Sequence, residues 1–458
     1  MSLSSFLSIA RSALLAQQRA MDVTGHNVAN AQTPGYSRQR LTTTAAEPLW
    51  SAWGTIGRGV STGSVTRVRD TFLDGNYRRE SGSLGTATTL NSFLSQVEGA
   101  LGEPSDTGVA AALDGMFKGF GDLANDPTNG ATRDIVRQSA TRLTQLLHSL
   151  DSRIVQAQSD AVERLRADVD QVNSLSGRIA ALNAQILAAG GPDHSAPDLE
   201  DQRDTLVDQL SGLVGVNVVT HDDGTVGVIA GDALIVDAGA AQTLVVRQVG
   251  AGYGVGLASA TDVIDPQSGS LKALTDLAST VLPGLRGQLD AFTASLVTEV
   301  NAVHRSGFTL AGVGGTDFFD PASLTAGTIT LAADVQASSG AIAASATGAP
   351  GDGAIALQLA GLGSKAVSAL GGRTLREFYT QVSQVVGAGV SNSQVDADTA
   401  QTLVDNADSQ RTSVSGVSLD EEMVALIAQQ QAYGAAARLV NVADTMMQQL
   451  LAMLSTTA

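Results

Sequence analysis

Histidines and clustered carboxylates are the groups in this 458-residue chain that could do chemistry, and their spacing assigns them none. His26, His148, His194, His221 and His304 are scattered, with no HExxH or comparable metal-ligand spacing. There is no cysteine, which removes disulfides, thiolate metal sites and cysteine nucleophiles together. Neither a Gly-x-Ser-x-Gly elbow nor a Walker A sequence occurs. The glycine run at 250–256 lacks the Gly-x-Gly-x-x-Gly register and a following phosphate-binding helix. Asp222-Asp223 reads as a turn, and Asp420-Glu421-Glu422 as a helix start, where the dipole favours anions. No catalytic, cofactor-binding or metal-ligating residue is expected, no cofactor, and no enzymatic role.

The cationic groups point the same way. Arg67, Arg69, Arg78 and Arg79 cluster, but the net charge of −18 opposes a nucleic-acid or anionic-membrane surface. Their expected place is a solvated face or a subunit contact. Residues 1–80 hold nine Arg against five acidic residues, so the acidity lies in the remainder. No stretch approaches the ~20 consecutive apolar residues of a membrane span. Arg11, Gln17, Gln18 and Arg19 interrupt the apolar N-terminus, which reads as an amphipathic helix and not as a cleaved Sec signal.

What remains is a set of long helices. Ser418 to Ala458 contains no proline and a single glycine, Gly434. Its apolar residues Leu419, Met423, Ile427, Val440, Met447, Leu451 and Leu454 recur at helical spacing. Ser418 and Glu421 form a plausible capping box at its start. Near the other end, Leu3, Leu7, Ala10, Leu14, Gln17 and Met21 form a heptad seam that Phe6, Ile9 and Ala13 broaden. The two stripes are expected to pair as a coiled coil, with Arg11 and Arg19 complementing Asp420, Glu421, Glu422 and Asp444. A two-helix seam buries too little apolar area to offset its ordering entropy, so the pair is expected to be disordered in a free monomer.

Between the ends, 41–80 reads as extended chain with short strands, and helical periodicity returns from Leu84 to Ala124, broken near 102–108. Thr132 to Ala189 is the longest helix, opened at Asp126-Pro127 and closed at Gly190-Gly191-Pro192. Another helix runs from Leu199 to Leu210. Val216, Val218, Val226 and Val228 flank Asp222-Asp223-Gly224 as a hairpin, with further strands at 233–236 and 243–249. Helix resumes from Leu271 to His304 with a kink or break at Pro283, then at 354–359 and 375–386, and a polar helix or linker spans 391–415. The fold class is thus mainly α with small β parts, an elongated helical-bundle body carrying a small β insertion.

The first helix ends in Asn27-Val28-Ala29-Asn30-Ala31-Gln32-Thr33-Pro34-Gly35-Tyr36, with Pro34 and Gly35 suited to a type II turn. This pattern resembles the signature of bacterial flagellar axial proteins, the rod, hook and hook-associated proteins. Val414-Ser415-Gly416-Val417-Ser418-Leu419-Asp420-Glu421-Glu422, Gln429-Gln430-Gln431-Ala432-Tyr433, Ala443-Asp444 and Leu450-Leu451 resemble the terminal helix of the hook-associated family at the hook–filament junction. Asp201-Gln202-Arg203-Asp204-Thr205-Leu206-Val207, His304-Arg305-Ser306-Gly307-Phe308 and Asp317-Phe318-Phe319 are similar to its body.

The resemblance implies a structural adaptor joining hook to filament, extracellular and exported without a Sec signal through the flagellar type III apparatus. It implies a ring of about eleven subunits through heterologous contacts. Its partners would be the hook protein, a second junction protein, its own copies, and an export chaperone on the C-terminal helix, with no nucleic acid or membrane. Expected units are a terminal coiled-coil domain at 1–60 and 415–458, a body at 61–215 and 270–414, and a β insertion at 216–269. A short remnant of an outer domain is expected at 320–352. The assembly interface is assigned to the seams and the signature, namely Leu3, Phe6, Leu7, Leu14, Met21, Asn27, Asn30, Thr33, Gly35, Tyr36, Leu419, Met423, Ile427, Tyr433, Val440, Met447, Leu451 and Leu454. The alternatives are a hook or distal-rod subunit with a mainly β body, or a secreted adhesin or enzyme that would work without its termini.

Overall fold

A computed structural model describes residues 3–51, 54–103, 105–190 and 196–455. Helix α1 (Leu3–Asn30) leads into a nested antiparallel ribbon. In it β1 (Gln39–Ala45) pairs with β4 (Val60–Arg67), and β2 (Leu49–Ser51) pairs with β3 (Gly54–Ile56) between them. Four helices follow: α2 (Thr71–Leu101), α3 (Val109–Asn125), α4 (Gly130–Ala188) and α5 (Pro197–Leu213).

Strands β5 (Val216–Thr220), β6 (Val226–Ala230), β7 (Ala233–Asp237) and β8 (Ala240–Ala241) form one antiparallel sheet in chain order. The strands β9 (Leu244–Val249), β10 (Gly252–Leu257) and β11 (Val263–Ile264) form a second, with β10 central. Helix α6 (Ser270–Asp276) passes through a π turn at Leu277–Val281 into α7 (Leu282–His304). Short α8 (Ala333–Ala337) and α9 (Ala354–Gly361) precede the long α10 (Leu375–Ser415) and α11 (Leu419–Ser455). The chain is mainly helical with small β parts, as its periodicity indicated.

Helix α4, at 59 residues, is the spine. Leu143, Leu147, Leu150, Ile154, Ala157, Ala161 and Leu165 are buried along one stripe, and Val172, Leu175 and Ile179 continue it. Two asparagines on this helix hold the β parts by imitating a strand's backbone. Asn173 donates to Leu244 O at 2.9 Å and accepts from Leu244 N at 2.7 Å. Asn183 donates to Val226 O at 2.8 Å and to Ala238 O at 2.7 Å. In the π turn, Ser279 Oγ accepts from Tyr253 N and donates to Tyr253 O, tying β10 to the α6–α7 rod. The kink or break read at Pro283 is this π turn, and the helix runs on through it.

Two further differences from the periodicity have local causes, and the polar stretch at 391–415 takes the helical of its two readings. Extended chain ends at Arg67, because Asp70 caps α2 by accepting from Phe72 N and Leu73 N. The start of α2 carries a weak apolar stripe because small residues make its contacts: a side chain at Gly85 would overlap Gly212 O. Helix α4 begins at Gly130, with Asn129 as its cap accepting from Ala131 N. Residues 391–415 continue α10 without interruption.

Residues 320–352 pack against the body through a buried side and leave much of their length exposed. Ala326, Ile329, Leu331, Val335 and Ile342 are buried, and Phe318 meets Phe120 at a tilt and Phe319 edge-to-face, at centroid distances of 5.3 and 4.9 Å. Buried Asn301 accepts from Phe318 N and Phe319 N and donates to Phe319 O. His304 is fully buried, with Nδ1 on Thr316 O and Nε2 facing Ala343 N, each at 2.8 Å.

Candidate assembly site

The signature segment folds into the joint where both ends of the chain meet the body. Tyr36 N donates to Thr33 O at 3.2 Å, and Gly35 sits at φ +78°, the i+2 position of the turn. A Cβ at Gly35 would overlap the Thr205 hydroxyl of α5, so this turn presses backbone onto the body. Buried Asn27 closes the corner. Its Oδ1 accepts from Gln39 N at 2.9 Å and from the Tyr36 hydroxyl at 2.8 Å. Its Nδ2 donates to Gln39 O at 2.9 Å and to Glu422 Oε2 at 3.1 Å. Asn30 donates to His26 O at 3.1 Å and accepts from the Thr33 hydroxyl at 3.2 Å, closing off the end of α1.

Beneath this corner lies a buried network of charges. Arg67 reaches Glu200 at 2.7 Å, Asp201 at 2.8 Å and Asp204 at 2.8 Å. Arg69 pairs with Asp74 at 2.6 Å, and Arg78 with Asp208 at 2.7 Å. Arg411 of α10 joins Asp208 at 2.5 Å and lies over the Tyr77 ring. Ser37 donates through its amide and hydroxyl to Asp201. Burial pushes the Asp204 carboxyl upward, but Arg67, Arg203, Arg69 and Arg78 outweigh it and hold its pKa at about 2. Arg67, Arg69 and Arg78 were expected on a solvated face or a subunit contact, and the structure corrects this. They face inward because the Asp201–Asp208 stretch of α5 offers carboxylates on the facing surface. Only Arg79 of the four is exposed, bonded to Asn76.

The terminal helices run antiparallel, with Thr24 on Gln429 and Asn27 on Glu422. On α11 the buried positions are Glu422, Ala436 and Ala443, with Gln429 half-buried; on α1 they are Ala10, Ala16, Thr24 and Asn27. Most of the Leu/Met stripe expected to form the seam on α11 is turned outward. Met423 is 49 %, Ile427 52 % and Leu451 60 % exposed; Leu419, Tyr433 and Met447 are exposed too, while Val440 is half-buried. On α1, Leu7 is exposed and Phe6, Leu14 and Met21 are half-buried. The side chains of Leu3 and Leu454 lie outside the described residues.

The expected pairing of Arg11 and Arg19 with the acidic start of α11 also does not form. The antiparallel register brings that start to Arg38, which pairs with Glu421 at 2.8 Å and Glu422 at 2.7 Å. Arg19 instead bonds the Thr62 hydroxyl of the ribbon, whose Gly59 packs against Ile9 and Ser12.

The terminal helices are keyed through one corner to a helical body, an arrangement that comparison with known proteins places among structural proteins of the bacterial flagellum. Three family models match along the chain: flagella basal body rod protein over residues 7–36, flagellar hook-associated protein FlgK helical domain over 94–319, and flagellar basal body rod FlgEFG protein C-terminal over 408–453. Flagellar hook-associated protein 1 of Bacillus subtilis is 32% identical over 97% of this chain and 97% of its own length. The same protein of Escherichia coli is 27% identical over 69% of this chain and 60% of its own. The flagellar hook junction protein FlgK of Burkholderia pseudomallei shares the fold at a TM-score of 0.65 and 17% identity, over 74% of this chain and 100% of that one. The chain belongs to the flagellar hook-associated protein 1 family.

Proposed function

We propose that the chain is a structural adaptor at the hook–filament junction, with the outward face of α11 as its assembly surface. The observation that carries this reading is the division of labour on that helix. Ala436 and Ala443 are buried against α1, and Met423, Ile427, Met447 and Leu451 are left exposed in one chain. Covering the half of such side chains that is still open contributes on the order of 1 kcal/mol each, which further copies of the chain would supply as they pack side by side. Closed heterologous packing gives a ring, of about eleven subunits by the family's helical symmetry.

In this reading the hook protein lies on one side and a second junction protein on the other, with a chaperone covering α11 before export. Residues 1–60 and 415–458 form the inner unit, 61–215 and 270–414 the helical body, and 216–269 a β insertion upon it. The helical body favours this assignment over a hook or distal-rod subunit.

Deletion of the gene, scored by electron microscopy, tests the reading. Hooks without filaments, with filament protein shed into the medium, is the expected outcome. Filaments of ordinary number and length on the deletion strain would overturn it.

A further inference from the structure

Each of the two small sheets has two edges, and three of the four are blunted. Strands β8 and β11 are two residues long, and Asn173 occupies the edge of β9 at Leu244. The remaining edge is β5, Val216-Asn217-Val218-Val219-Thr220, which carries no charge, no proline and no bulge. Its register fixes which groups are open. His221 N donates to Thr225 O at 2.9 Å, so this is a hydrogen-bonded pair of the hairpin. Alternation along the antiparallel ladder then bonds Val219 to Gly227 and Asn217 to Ile229. Val216, Val218 and Thr220 occupy the intervening pairs, so their N–H and C=O groups point away from β6. Among the described residues no hydrogen bond reaches those groups.

A cavity of about 560 Å³ opens beside this edge, lined by Val216, Val218 and Thr220 of β5 and by Thr71, Gly75 and Arg79 of α2. A Cβ at Gly75 would meet nothing within 4 Å, so α2 leaves the space open there. Arg67, Arg69, Arg78 and Arg203 also border the cavity, but each is paired with a carboxylate of its own chain. Exposed Arg79 is bonded to the neutral Asn76 and has no carboxylate partner among the described residues. The site thus offers outward backbone groups at three alternate positions and one guanidinium left over for an anion.

We propose that an extended, carboxylate-bearing segment of a partner protein adds to β5 as a fifth strand of that sheet. Its backbone bonds to Val216, Val218 and Thr220, the recognition mode in which main-chain bonds supply affinity and side chains selectivity. Its carboxylate meets Arg79. The cavity selects a free segment, because β5 and α2 both border it and a single strand stands only about 4.8 Å from its neighbour. A second copy does not supply one, since every strand among the described residues is already paired in a sheet or ribbon. The contact is independent of the outward face of α11, so its failure leaves the adaptor reading standing.

The photo-cross-linker p-benzoylphenylalanine replaces Thr220 in the full chain made in the deletion strain, and intact cells and isolated flagella are irradiated. The expected result is an adduct with a different protein, mapped by mass spectrometry to a segment that contains Asp or Glu. Val218→Pro removes one outward N–H and no β5–β6 bond, so the adduct should be lost while the purified chain keeps its thermal midpoint. Arg79→Glu should abolish the adduct too. An adduct that survives either change, joins two copies of this chain or forms within one chain would overturn the proposal, and so would the absence of any adduct. Should Val218→Pro lower the midpoint, Arg79→Glu decides alone, since Arg79 is exposed and bonded only to Asn76.

Discussion

Asn27 and Glu422, 395 residues apart in sequence, meet at 3.1 Å in the buried corner between the two terminal helices. The same asparagine holds Gln39 through its amide and carbonyl, so one side chain fixes the exit of α1, the start of the ribbon and the start of α11. The angle at which the terminal helices leave the body therefore depends on a few polar contacts. Their removal has definite consequences.

Arg67 spans three carboxylates of α5. Arg67→Met leaves buried, uncompensated negative charge, and a loss of about 3–5 kcal/mol is expected, read by urea unfolding. Arg67→Lys should recover only part of it, because an ammonium cannot reproduce the planar fork. Wild-type stability in Arg67→Met would show that the network does not hold the joint.

Gly35 combines a positive φ with contact against Thr205. Gly35→Ala should destabilise the joint by about 1–2 kcal/mol from backbone strain alone, and more from the overlap. Adding Thr205→Ala should relieve the overlap and not the strain. A double-mutant cycle in thermal unfolding measures the two parts; strict additivity would contradict the close approach.

The terminal pair buries Ala436 and Ala443 on α11 and Ala10 and Ala16 on α1, with Thr24 bonded to Gln429 and Asn27 to Glu422. Alanine burial contributes little, roughly 0.8 kcal/mol per methyl-sized group. Hydrogen exchange on the free subunit should therefore show weak protection across Leu7–Met21 and Met423–Leu451 and strong protection along α4. Equal protection in both regions would argue for a self-sufficient pair.

Met447 and Leu451 face outward, so Met447→Asp with Leu451→Asp costs the lone chain little. Filament attachment should be lost, while the cooperative unfolding of the body keeps its midpoint. Normal swimming of the double variant would remove the outer face of α11 from the assembly surface.

Burial holds the His304 pKa below its ordinary value of 6.5, with Asp317 opposing and Arg133 adding to the effect. The neutral ring is the folded form, donating to Thr316 O and accepting from Ala343 N. A basic group depressed on folding contributes stability that is full above its unfolded pKa and falls as protons bind the unfolded chain below it. Stability should drop from about pH 6.5 downward, at no more than ~1.4 kcal/mol per pH unit from this group. His304→Gln should flatten that limb of the curve.

The long helices were legible because buried leucines at regular steps, as in Leu143 to Leu165, leave a periodic trace. The turn at Pro34-Gly35 was legible from its chemistry. The charge network was not, since Arg67 and Asp204 are far apart in sequence and each reads alone as surface. The seam misled for a related reason. The large residues of α11 carry the visible period, whereas its alanines make the contact. Asn173 and Asn183 gave no signal, because an asparagine bonding to a strand looks like any polar helix position.

The corner at Asn27 also sets an order of events. The last element of the body, α10, ends at Ser415 just ahead of Glu422, so the corner closes only after every element of the body has been supplied. The joint is then the last part to lock, and until it does the two terminal segments remain free of each other. Neither terminal helix takes its angle from the corner until the chain extends past Glu422.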